Sequence, residues 1–293
     1  SASAHTTLAG WLGGEGEGMA SGLRRGSSRR AAVLGLLLPL LHAHLPRCHA
    51  ASSPGAGDGF ACDEGDLSTT CVVRKRAIVL TQGLNITGTG NLVLFNSSIA
   101  QAEMDATYAV NISLRNVNIT QGSLINATSI YITASKLYID ESSTLRAIWI
   151  FDSGGAGASP TDFEGGGGRG GSGAPSCYGH YRDGHAYGNP LSFEDFFPGG
   201  AGSALFAPPY GRIDGGHGGG LVSIEAPEVE LDGAIDCSGA VAVLPDELRN
   251  SSQAPAYRCG GGAGGTVRIV AGTSVSGSGS VVAAGGSGLN GGG

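Results

Sequence analysis

Apolar and polar residues alternate along the chain from residue 77 onwards, in short strings that recur at a fixed interval. One set of apolar positions returns after twenty residues: Val110, Ile112, Val117 and Ile119 are followed by Ile130, Ile132, Leu137 and Ile139. The same step taken backwards places Leu92, Leu94 and Ile99 beneath Ile112, Leu114 and Ile119. Strict alternation predicts β-strands with one buried face, and a repeat of this length with three strings per turn predicts stacked coils.

The glycine-rich part after residue 215 keeps this alternation. A string from Leu221 to Ile235 is followed by a similar string from Thr266 to Val281. A flexible glycine linker has no reason to repeat β-branched residues at every second position, so we predict that the coils continue there. We expect the glycines to lie at tight corners, where backbones approach closely, and in mobile loops.

These patterns predict an all-β chain, a right-handed parallel β-helix (solenoid) with Gly-rich loop insertions. Leucine-rich repeats have a similar length, but their L-x-x-L-x-L-x-x-N pattern is missing. An antiparallel sandwich would require hairpin turns such as Asn-Gly or Asp-Gly, and residues 77–150 contain neither pair.

The same patterns divide the chain into segments. We interpret residues 1–18 as a non-native upstream segment, 19–50 as a signal peptide, and 51–76 as a disordered leader with a Cys62/Cys71 cap. Residues 77–153 are predicted to form β-helix coils, 154–215 a Gly- and aromatic-rich loop insertion, and 216–293 truncated Gly-rich coils. Because the last predicted coil lacks a polar cap, we expect the chain to be a fragment of a longer protein.

The signal peptide prediction depends on three features. A basic region contains Arg24, Arg25, Arg29 and Arg30, an apolar region follows over residues 31–41, and small residues for cleavage stand at 48 and 50. The apolar region is too short to span a bilayer as an ordinary helix.

Charge and composition exclude some partners. The chain has a net charge of −7 and no basic run after the signal peptide, which argues against nucleic-acid binding. Aromatic residues make up 6% of the chain and charged residues 14%, so we expect a narrow core rather than a large globular one.

Cysteines and glycosylation motifs both indicate an oxidising compartment. Cys62 and Cys71 are the natural local pair, and Cys237 and Cys259 flank the second insertion and are a second candidate disulfide, which leaves Cys177 unpaired. Six Asn-x-Ser/Thr motifs predict N-glycosylation at Asn85, Asn96, Asn111, Asn118, Asn126 and Asn250.

The chain offers weak candidates for chemistry. A Cys177, His180, Asp183 and His185 cluster lacks the paired spacing of a zinc site, so we predict no metal. The Gly165–Gly171 run lacks the Lys-Ser/Thr of a phosphate-binding loop, so we predict no nucleotide or other cofactor. Six carboxylates are candidates for polysaccharide chemistry, and their alternation also suits a solvated strand face: Asp214, Glu225, Glu228, Glu230, Asp232 and Asp236.

Aromatic residues are concentrated in the first insertion. We interpret residues 173–211 as a candidate contact loop for a glycan or an extracellular protein, although these side chains could equally cover the flank of the coils. The residues proposed for this contact loop are Tyr178, His180, Tyr181, His185, Tyr187, Phe193, Phe196, Phe197 and Tyr210.

The order of these motifs resembles a known family. An acidic Cys pair, sequon-rich strands, the Gly-Gly-Arg-Gly-Gly-Ser-Gly-Ala run at residues 167–174, a Cys/aromatic loop and paired Gly-Gly-Gly-x-Val-x-Ile repeats look like the large glycine-rich membrane proteins of plants and algae, a receptor-like or ephrin-receptor-like family. The resemblance covers residues 58–293. It implies a long β-helical ectodomain on the extracellular or vacuolar-lumenal side, with membrane attachment only through a C-terminal region that is missing here. Where that family carries adjacent cysteines and tryptophans, this chain has the single Cys177.

The sequence therefore favours a non-catalytic, N-glycosylated structural or binding ectodomain of a larger membrane protein. Two alternatives stay open. One is a secreted polysaccharide-active β-helix enzyme, supported only by analogy of fold. The other is a low-complexity glycine-rich wall protein without a fold.

Overall fold

The computed structural model describes residues 60–101, 108–149, 198–202, 205–207, 211–213, 215–244 and 260–288. Within those residues the secondary structure consists of strands, with no helix. The prediction of an all-β chain is therefore confirmed for the described part.

Strands follow one another at short intervals along the chain. They are β1 Thr70–Arg74, β2 Ala77–Leu80, β3 Leu84–Thr87, β4 Asn91–Phe95, β5 Ser98–Gln101, β6 Ala109–Ser113, β7 Asn116–Thr120, β8 Leu124–Ala127, β9 Ser129–Thr133, β10 Lys136–Ile139, β11 Thr144–Trp149, β12 Leu205–Ala207, β13 Gly211–Ile213, β14 Gly218–Gly219, β15 Leu221–Glu225, β16 Glu228–Leu231, β17 Ala234–Asp236, β18 Thr266–Val270, β19 Ser274–Ser276 and β20 Ser280–Val282.

Three parallel sheets contain most of these strands. Sheet A has the order β1-β4-β7-β10-β16-β19, sheet B the order β2-β5-β8-β11-β17-β20, and sheet C the order β18-β15-β9-β6-β3. The chain visits sheets A, B and C in the same order each time. We call one such visit to the three sheets a rung: β1–β3 form rung 1, β4–β6 rung 2, β7–β9 rung 3, β10, β11 and β15 rung 4, β16–β18 rung 5, and β19 and β20 rung 6.

Side chains of equivalent strands stack in register. Val110 pairs with Ile130 and Ile112 with Ile132 on sheet C, and Val117 pairs with Leu137 on sheet A, which confirms the twenty-residue step. The similar strings in the glycine-rich part also pair, because Val222 lies beside Val267 and Val229 beside Val275.

The backward extrapolation of the repeat is wrong by five or six residues. Leu92 pairs with Val117, Leu94 with Ile119 and Ile99 with Ile125, rather than with residues twenty positions further on. The reason is that the connection from β5 to β6 contains extra residues, 102–108, so that rung 2 is longer than rung 3.

The core consists of columns of apolar side chains that run from rung to rung. In strands such as β4, β7 and β10 alternate residues are buried and face this core. The largest fully buried side chains are Ile86, Leu92, Leu94, Ile99, Ile112, Ile119, Ile125, Ile130, Ile132, Leu137, Ile139 and Leu145. Since a parallel strand places equal residues one strand spacing apart, about 4.8 Å, each side chain packs on its equivalent in the next rung.

All long excursions leave the stack between a sheet B strand and the following sheet C strand. Residues 102–108 separate β5 from β6, residues 150–220 separate β11 from β15, and residues 237–265 separate β17 from β18. The corner between sheets A and B is tight instead, with Lys75, Asn96 and Gln121 at positive φ in successive rungs. The B–C corner is therefore the place where this fold accepts insertions.

A ladder of buried hydroxyl groups lines the A–B corner. The backbone N–H of Arg76 donates to Ser97 Oγ at 3.2 Å, that of Ser97 to Ser123 Oγ at 3.1 Å, and that of Ser123 to Ser143 Oγ at 3.1 Å. All three serines are buried. They satisfy backbone donors that the turn leaves without a strand partner.

Asp140 ends this ladder at the fourth rung. Its carboxylate accepts hydrogen bonds from the Gln121 N–H at 2.5 Å, from the Ser143 hydroxyl at 2.6 Å and from the Ser142 hydroxyl at 2.9 Å. Burial acts to raise the pKa of Asp140, but these hydrogen bonds outweigh it and leave the pKa below the ordinary value of 3.8.

A disulfide-bonded cap covers the start of sheet A. Cys62 and Cys71 form a disulfide, as predicted. Cys71 is buried and lies beside Leu92 of the next rung, in one of the apolar columns of sheet A. The backbone of Asp63 and Glu64 pairs antiparallel with Val72 through hydrogen bonds of 2.8 and 2.9 Å, so the outer edge of β1 is occupied. The disulfide indicates that this part of the protein forms in an oxidising compartment.

The Asp140→Asn variant tests the hydroxyl ladder. An asparagine amide would direct a donor at the Gln121 N–H, so we expect the free energy of unfolding at pH 7 to fall by about 1–3 kcal/mol. Because the folded-state pKa of Asp140 is lowered, its carboxylate stabilises the fold above the unfolded-state value of 3.8 and this contribution is lost as the pH falls below it. The difference between variant and wild type should therefore shrink on acidification, as measured by urea unfolding at pH 7 and pH 3.

The matched control is Glu141→Gln, which removes a charge from the adjacent exposed residue. We expect it to unfold like the wild type at both pH values. Equal losses in the two variants would contradict the role given to Asp140.

Candidate functional site

Most of the predicted contact loop, residues 173–211, lies outside the described residues, which include only 198–202, 205–207 and 211 of it. The nine residues proposed for contact, from Tyr178 to Tyr210, all lie outside the described residues, and so do Cys177, Asp214, Asn250 and Cys259. What the structure does describe is the part of the chain from which this insertion leaves. The candidate functional site is therefore built from the B–C corner and from the outward faces of the sheets.

Cys237 is a free thiol, and Cys259, its predicted partner, lies outside the described residues. Cys237 follows β17 and its side chain continues an inward column next to Ile235, where it is fully buried. Burial, together with the charge of Asp236, raises the pKa of this thiol to about 12. Cys237 thus behaves as a small core residue, and the alternation of β17 would have indicated its inward direction.

The predicted glycosylation sites in the described residues all lie on the outside of rungs 1–3. Asn85 on sheet C and Asn96 at the A–B corner are exposed, and Asn111, Asn118 and Asn126 are half-buried on sheets C, A and B. Asn85 and Asn111 are neighbours in one outward column, and the Asn111 Nδ2 donates to Asn85 Oδ1 at 2.8 Å. Each of the three sheets thus carries at least one acceptor asparagine.

The candidate acidic residues of the described strands form ion pairs between rungs. Lys136 Nζ lies 3.8 Å from Glu228 and 3.5 Å from Glu230 on the outward face of sheet A. Arg146 lies 3.8 Å from Asp236 on sheet B, and Arg268 pairs with Glu225 on sheet C. Partial burial, and then the charges of Asp232, Asp140, Glu230 and Glu141, raises the pKa of Tyr138 above its ordinary value of 10.0.

Asp232 differs from Glu228 and Glu230, because it lies beyond the end of β16. It follows β16 at the corner and accepts a hydrogen bond from the Ser278 N–H at 3.0 Å. The sequence pattern predicts that Glu228, Glu230 and Asp232 point outward together from one strand. Glu228 and Glu230 lie on the outward face of β16 and form exposed ion pairs with Lys136, whereas β16 ends before Asp232. Within the described residues no group of three or more His, Cys, Asp or Glu side chains is arranged to hold a metal ion.

A layer of glycine-rich segments covers the B–C corner. Five extended segments take part, over residues 198–202, 215–220, 237–242, 260–265 and 283–287. Their backbone hydrogen bonds recur at every third residue: Gly199 and Gly202 donate to Gly219 and Gly216, and Gly216 and Gly219 donate to Gly260 and Ala263, all at 2.8–2.9 Å. Three residues is the period of the polyproline II helix, which has no internal hydrogen bonds, so its backbone groups can bond to neighbouring segments.

Close approach of these segments requires glycine. A Cβ on Gly219 would lie 1.8 Å from the Cys237 carbonyl oxygen, and a Cβ on Gly262 would lie 1.8 Å from the His217 carbonyl oxygen. Real Cβ atoms do not come so close to backbone, so a side chain would force the segments apart. In this layer the glycines are packing residues, as expected where backbones approach closely, and not residues of mobile loops.

The glycine layer is the feature that sequence reasoning missed. Its signal is the spacing of three in Gly199/Gly202, Gly216/Gly219 and Gly262/Gly265. Both long insertions join the stack at this layer, because residues 198–202 and 215–220 belong to the first and residues 237–244 and 260–265 to the second. The layer therefore forms a common base at which the two insertions meet the stack.

A shallow groove lies beside β2 in rung 1, at the first end of the stack. Its volume is about 160 Å³ and it is lined by Phe60, Arg76 and the following residues up to Leu84, along β2.

None of the described residues belongs to a helix that is long and apolar enough to span a membrane. Neither known protein families, nor curated proteins, nor solved structures contain a match to this chain.

Replacing Gly262 by alanine tests the glycine layer. We expect Gly262→Ala to lower the free energy of unfolding by at least about 1–3 kcal/mol, because the methyl group must displace the backbone of His217. Thermal unfolding followed by circular dichroism measures the effect.

Gly285→Ala is the matched control within the same layer. The nearest atom to its added Cβ is 3.6 Å away, an ordinary contact, so its melting temperature should stay close to that of the wild type. A Gly262→Ala protein that melts with the control would mean that the close packing of the layer is incorrect.

Proposed function

We propose that this chain is an N-glycosylated, non-catalytic structural or binding module of the secretory pathway, folded as a right-handed parallel β-helix. The observation that supports it best is the constant A–B–C order of the strands, combined with long excursions from a single corner. Such an arrangement holds loops on a rigid scaffold, which is how many binding proteins present their contact residues.

The handedness follows from general sterics. A connection between two parallel strands of one sheet is right-handed in nearly all proteins, because strand twist favours that direction. Each rung of this stack is such a connection, since it leaves sheet A and returns to the neighbouring parallel strand of sheet A.

The placement of the sequons supports the glycoprotein part of the proposal. Acceptor residues lie outward on each of the three sheets in rungs 1–3, while the inward positions between them are apolar. Glycans at these sites would surround the stack without entering its core. The Cys62–Cys71 disulfide indicates the same oxidising compartment.

The binding part of the proposal concerns the first insertion. Its aromatic residues, over 173–211, are the candidate contact residues for a glycan or an extracellular protein, and aromatic side chains are enriched in such contacts. The described ends of this insertion lie in the glycine layer. A rigid base of this kind reduces the conformational freedom lost when a loop binds.

The resemblance to the large glycine-rich membrane proteins of plants and algae extends this proposal. In that context the chain forms part of an ectodomain at the cell surface or in the vacuolar lumen, anchored by a membrane region outside this sequence. The ion pairs of Glu225, Glu228, Glu230 and Asp236 support a non-catalytic role, because each carboxylate has a basic neighbour on the adjacent rung.

Site mapping by mass spectrometry tests the glycoprotein proposal. The chain is secreted from a eukaryotic cell line, treated with peptide N-glycosidase in ¹⁸O water, and digested. We expect the mass label at Asn85 and Asn96, whose side chains are exposed, and one glycan less in the Thr87→Ala variant, which removes the Asn85 motif at an exposed outward position of β3 and should melt close to the wild type.

Asn91 and Asn116 are internal controls, because they lie on the same stack outside any Asn-x-Ser/Thr motif and must stay unlabelled. A secreted protein with no label on rungs 1–3 would contradict the proposal. Release of reducing ends from plant wall polysaccharides by the purified protein would contradict its non-catalytic part.

A further inference from the structure

Two outward tyrosines lie beside acceptor asparagines of the preceding rung. Asn111 of β6 pairs in register with Tyr131 of β9 on sheet C. Asn118 of β7 pairs in the same way with Tyr138 of β10 on sheet A. Both asparagines begin Asn-x-Ser/Thr motifs, and each tyrosine follows its asparagine at the twenty-residue interval of the repeat. The same arrangement therefore occurs twice, on two different sheets.

The other outward asparagines of the strands have a polar or charged neighbour on the next rung instead. Asn85 and Asn126 begin glycosylation motifs as well, whereas Asn91 and Asn116 do not. Asn85 is a useful comparison, because it shares an outward column of sheet C with Asn111 but has no ring beside it on the next rung. The pairs are Asn85 with Asn111, Asn91 with Asn116, Asn116 with Lys136 and Asn126 with Arg146.

Both tyrosine rings lie on the outward side of their sheets. Tyr131 is 39% exposed and Tyr138 is half-buried, and the residues on either side of each tyrosine in its strand are buried. Another outward ring, that of Phe95, is covered by the guanidinium of Arg74, which lies 5.2 Å from the ring centre. A tyrosine offers a large apolar ring with a polar hydroxyl at its tip, which suits a ligand that has both kinds of surface.

An attached sugar would begin close to these rings. Paired residues of adjacent parallel strands lie about 4.8 Å apart. The side chains of Asn111 and Asn118 are half-buried, so a sugar bonded to Nδ2 starts near the surface of the sheet. The first sugar of an N-glycan, N-acetylglucosamine, has one ring face that consists of C–H bonds. Contact between that face and an aromatic ring removes apolar area from water, which is favourable.

The hydrogen bond of Asn111 is compatible with an attached sugar. Its Nδ2 donates to Asn85 Oδ1 at 2.8 Å, and an amide nitrogen of this kind has two N–H groups. Glycosylation replaces one N–H, so the other can keep the hydrogen bond. Asn118 lies between Val93 of rung 2 and Tyr138 of rung 4, so a sugar there has an apolar neighbour on both sides.

We propose that Tyr131 and Tyr138 bind the first N-acetylglucosamine of the glycans on Asn111 and Asn118, and that each sugar thereby joins two successive rungs. This inference rests on the proposed glycosylation and gives two of the predicted sites a structural role. The sugar on Asn111 connects rung 2 to rung 3, and the sugar on Asn118 connects rung 3 to rung 4. These glycans then stabilise the stack in addition to surrounding it.

A double-mutant cycle on the full secreted chain tests the contact at Asn111. Ser113→Ala removes the Asn111 motif at an exposed position, and Tyr131→Thr removes the ring but keeps a residue that favours strands. Endoglycosidase H trims high-mannose glycans to the first sugar, so the cycle measures that sugar alone. We expect Ser113→Ala to lower the melting temperature by about 2–4 °C when Tyr131 is present, and to have little effect in the Tyr131→Thr background. Tyr131→Phe keeps the ring and should keep the full effect.

Thr87→Ala is the matched control for the loss of a glycan. It removes the Asn85 motif, and Asn85 has Asn111 rather than an aromatic residue beside it on the next rung. Its effect on melting should be the same with and without Tyr131. The proteins of the cycle made without glycans in the bacterial periplasm should also show no dependence of Ser113→Ala on Tyr131. Equal effects of Ser113→Ala in both backgrounds of the glycosylated protein would overturn the proposal.

Nuclear magnetic resonance of the trimmed protein measures the contact directly. We expect the ring current of Tyr131 to shift the C–H protons of the Asn111 sugar upfield, and the Tyr131→Thr variant to lose this shift. Sugar protons with the same shifts in both proteins would contradict a contact with the ring.

The occupancy of each motif, read by mass spectrometry, separates this inference from the proposed function. Glycans on Asn85 and Asn96 without glycans on Asn111 and Asn118 would overturn the inference and leave the glycoprotein proposal in place. Occupied motifs with melting independent of Tyr131 would likewise count against the inference alone. Absence of glycans from all the motifs would overturn both.

Discussion

Backbone hydrogen bonding between successive rungs is the constraint on which the rest of this structure depends. In a parallel sheet each strand satisfies half of its backbone groups with the rung before and half with the rung after, so no rung is stable alone. The apolar columns add to this, since every inward Ile, Leu or Val packs on its equivalent in the next rung. Exposed ion pairs such as Arg146 with Asp236 contribute much less, about 0–1 kcal/mol each. The backbone pairing and the apolar columns together fix the register of the strands. The corners and loops between the strands then vary from rung to rung.

The corners show how the chain meets this constraint with different chemistry. At the A–B corner Ser97, Ser123 and Ser143 give buried hydroxyl partners to backbone groups, and Asp140 completes the series. At the B–C corner of the later rungs the backbone satisfies itself, because glycine allows extended segments to approach and bond at every third residue. The two solutions explain why serine is buried in the first half of the stack and glycine in the second. They also explain why long insertions are tolerated at the B–C corner, where the glycine layer supplies their hydrogen bonds.

Much of the strand stack could be predicted from the sequence, because alternation and a twenty-residue interval are direct consequences of parallel stacking. The spacing of Val110, Ile112, Val117 and Ile119 gave the correct partners on rung 3. The step back to Leu92 failed because a periodic pattern does not reveal a rung lengthened at one corner. The Cys62–Cys71 bond could be predicted from local spacing, whereas the burial of the Cys237 thiol required knowing that its column faces the core. The glycine layer was missed because its period of three appears only when separate segments are compared.

The functional proposal follows from this architecture: a rigid stack with glycan acceptors on its first rungs and two insertions based on one glycine layer. Its central claim is that the stack resumes in register after the first insertion, so that Thr133 of β9 lies beside Glu225 of β15 although 92 residues separate them. Disulfide cross-linking of the Thr133→Cys/Glu225→Cys variant tests this most directly, because adjacent strands lie about 4.8 Å apart, within disulfide reach. Mass spectrometry should find the cross-link in that variant, and not in Ser113→Cys/Glu225→Cys, whose positions are two rungs apart. A cross-link in the second variant but not in the first would contradict the register and the account built on it.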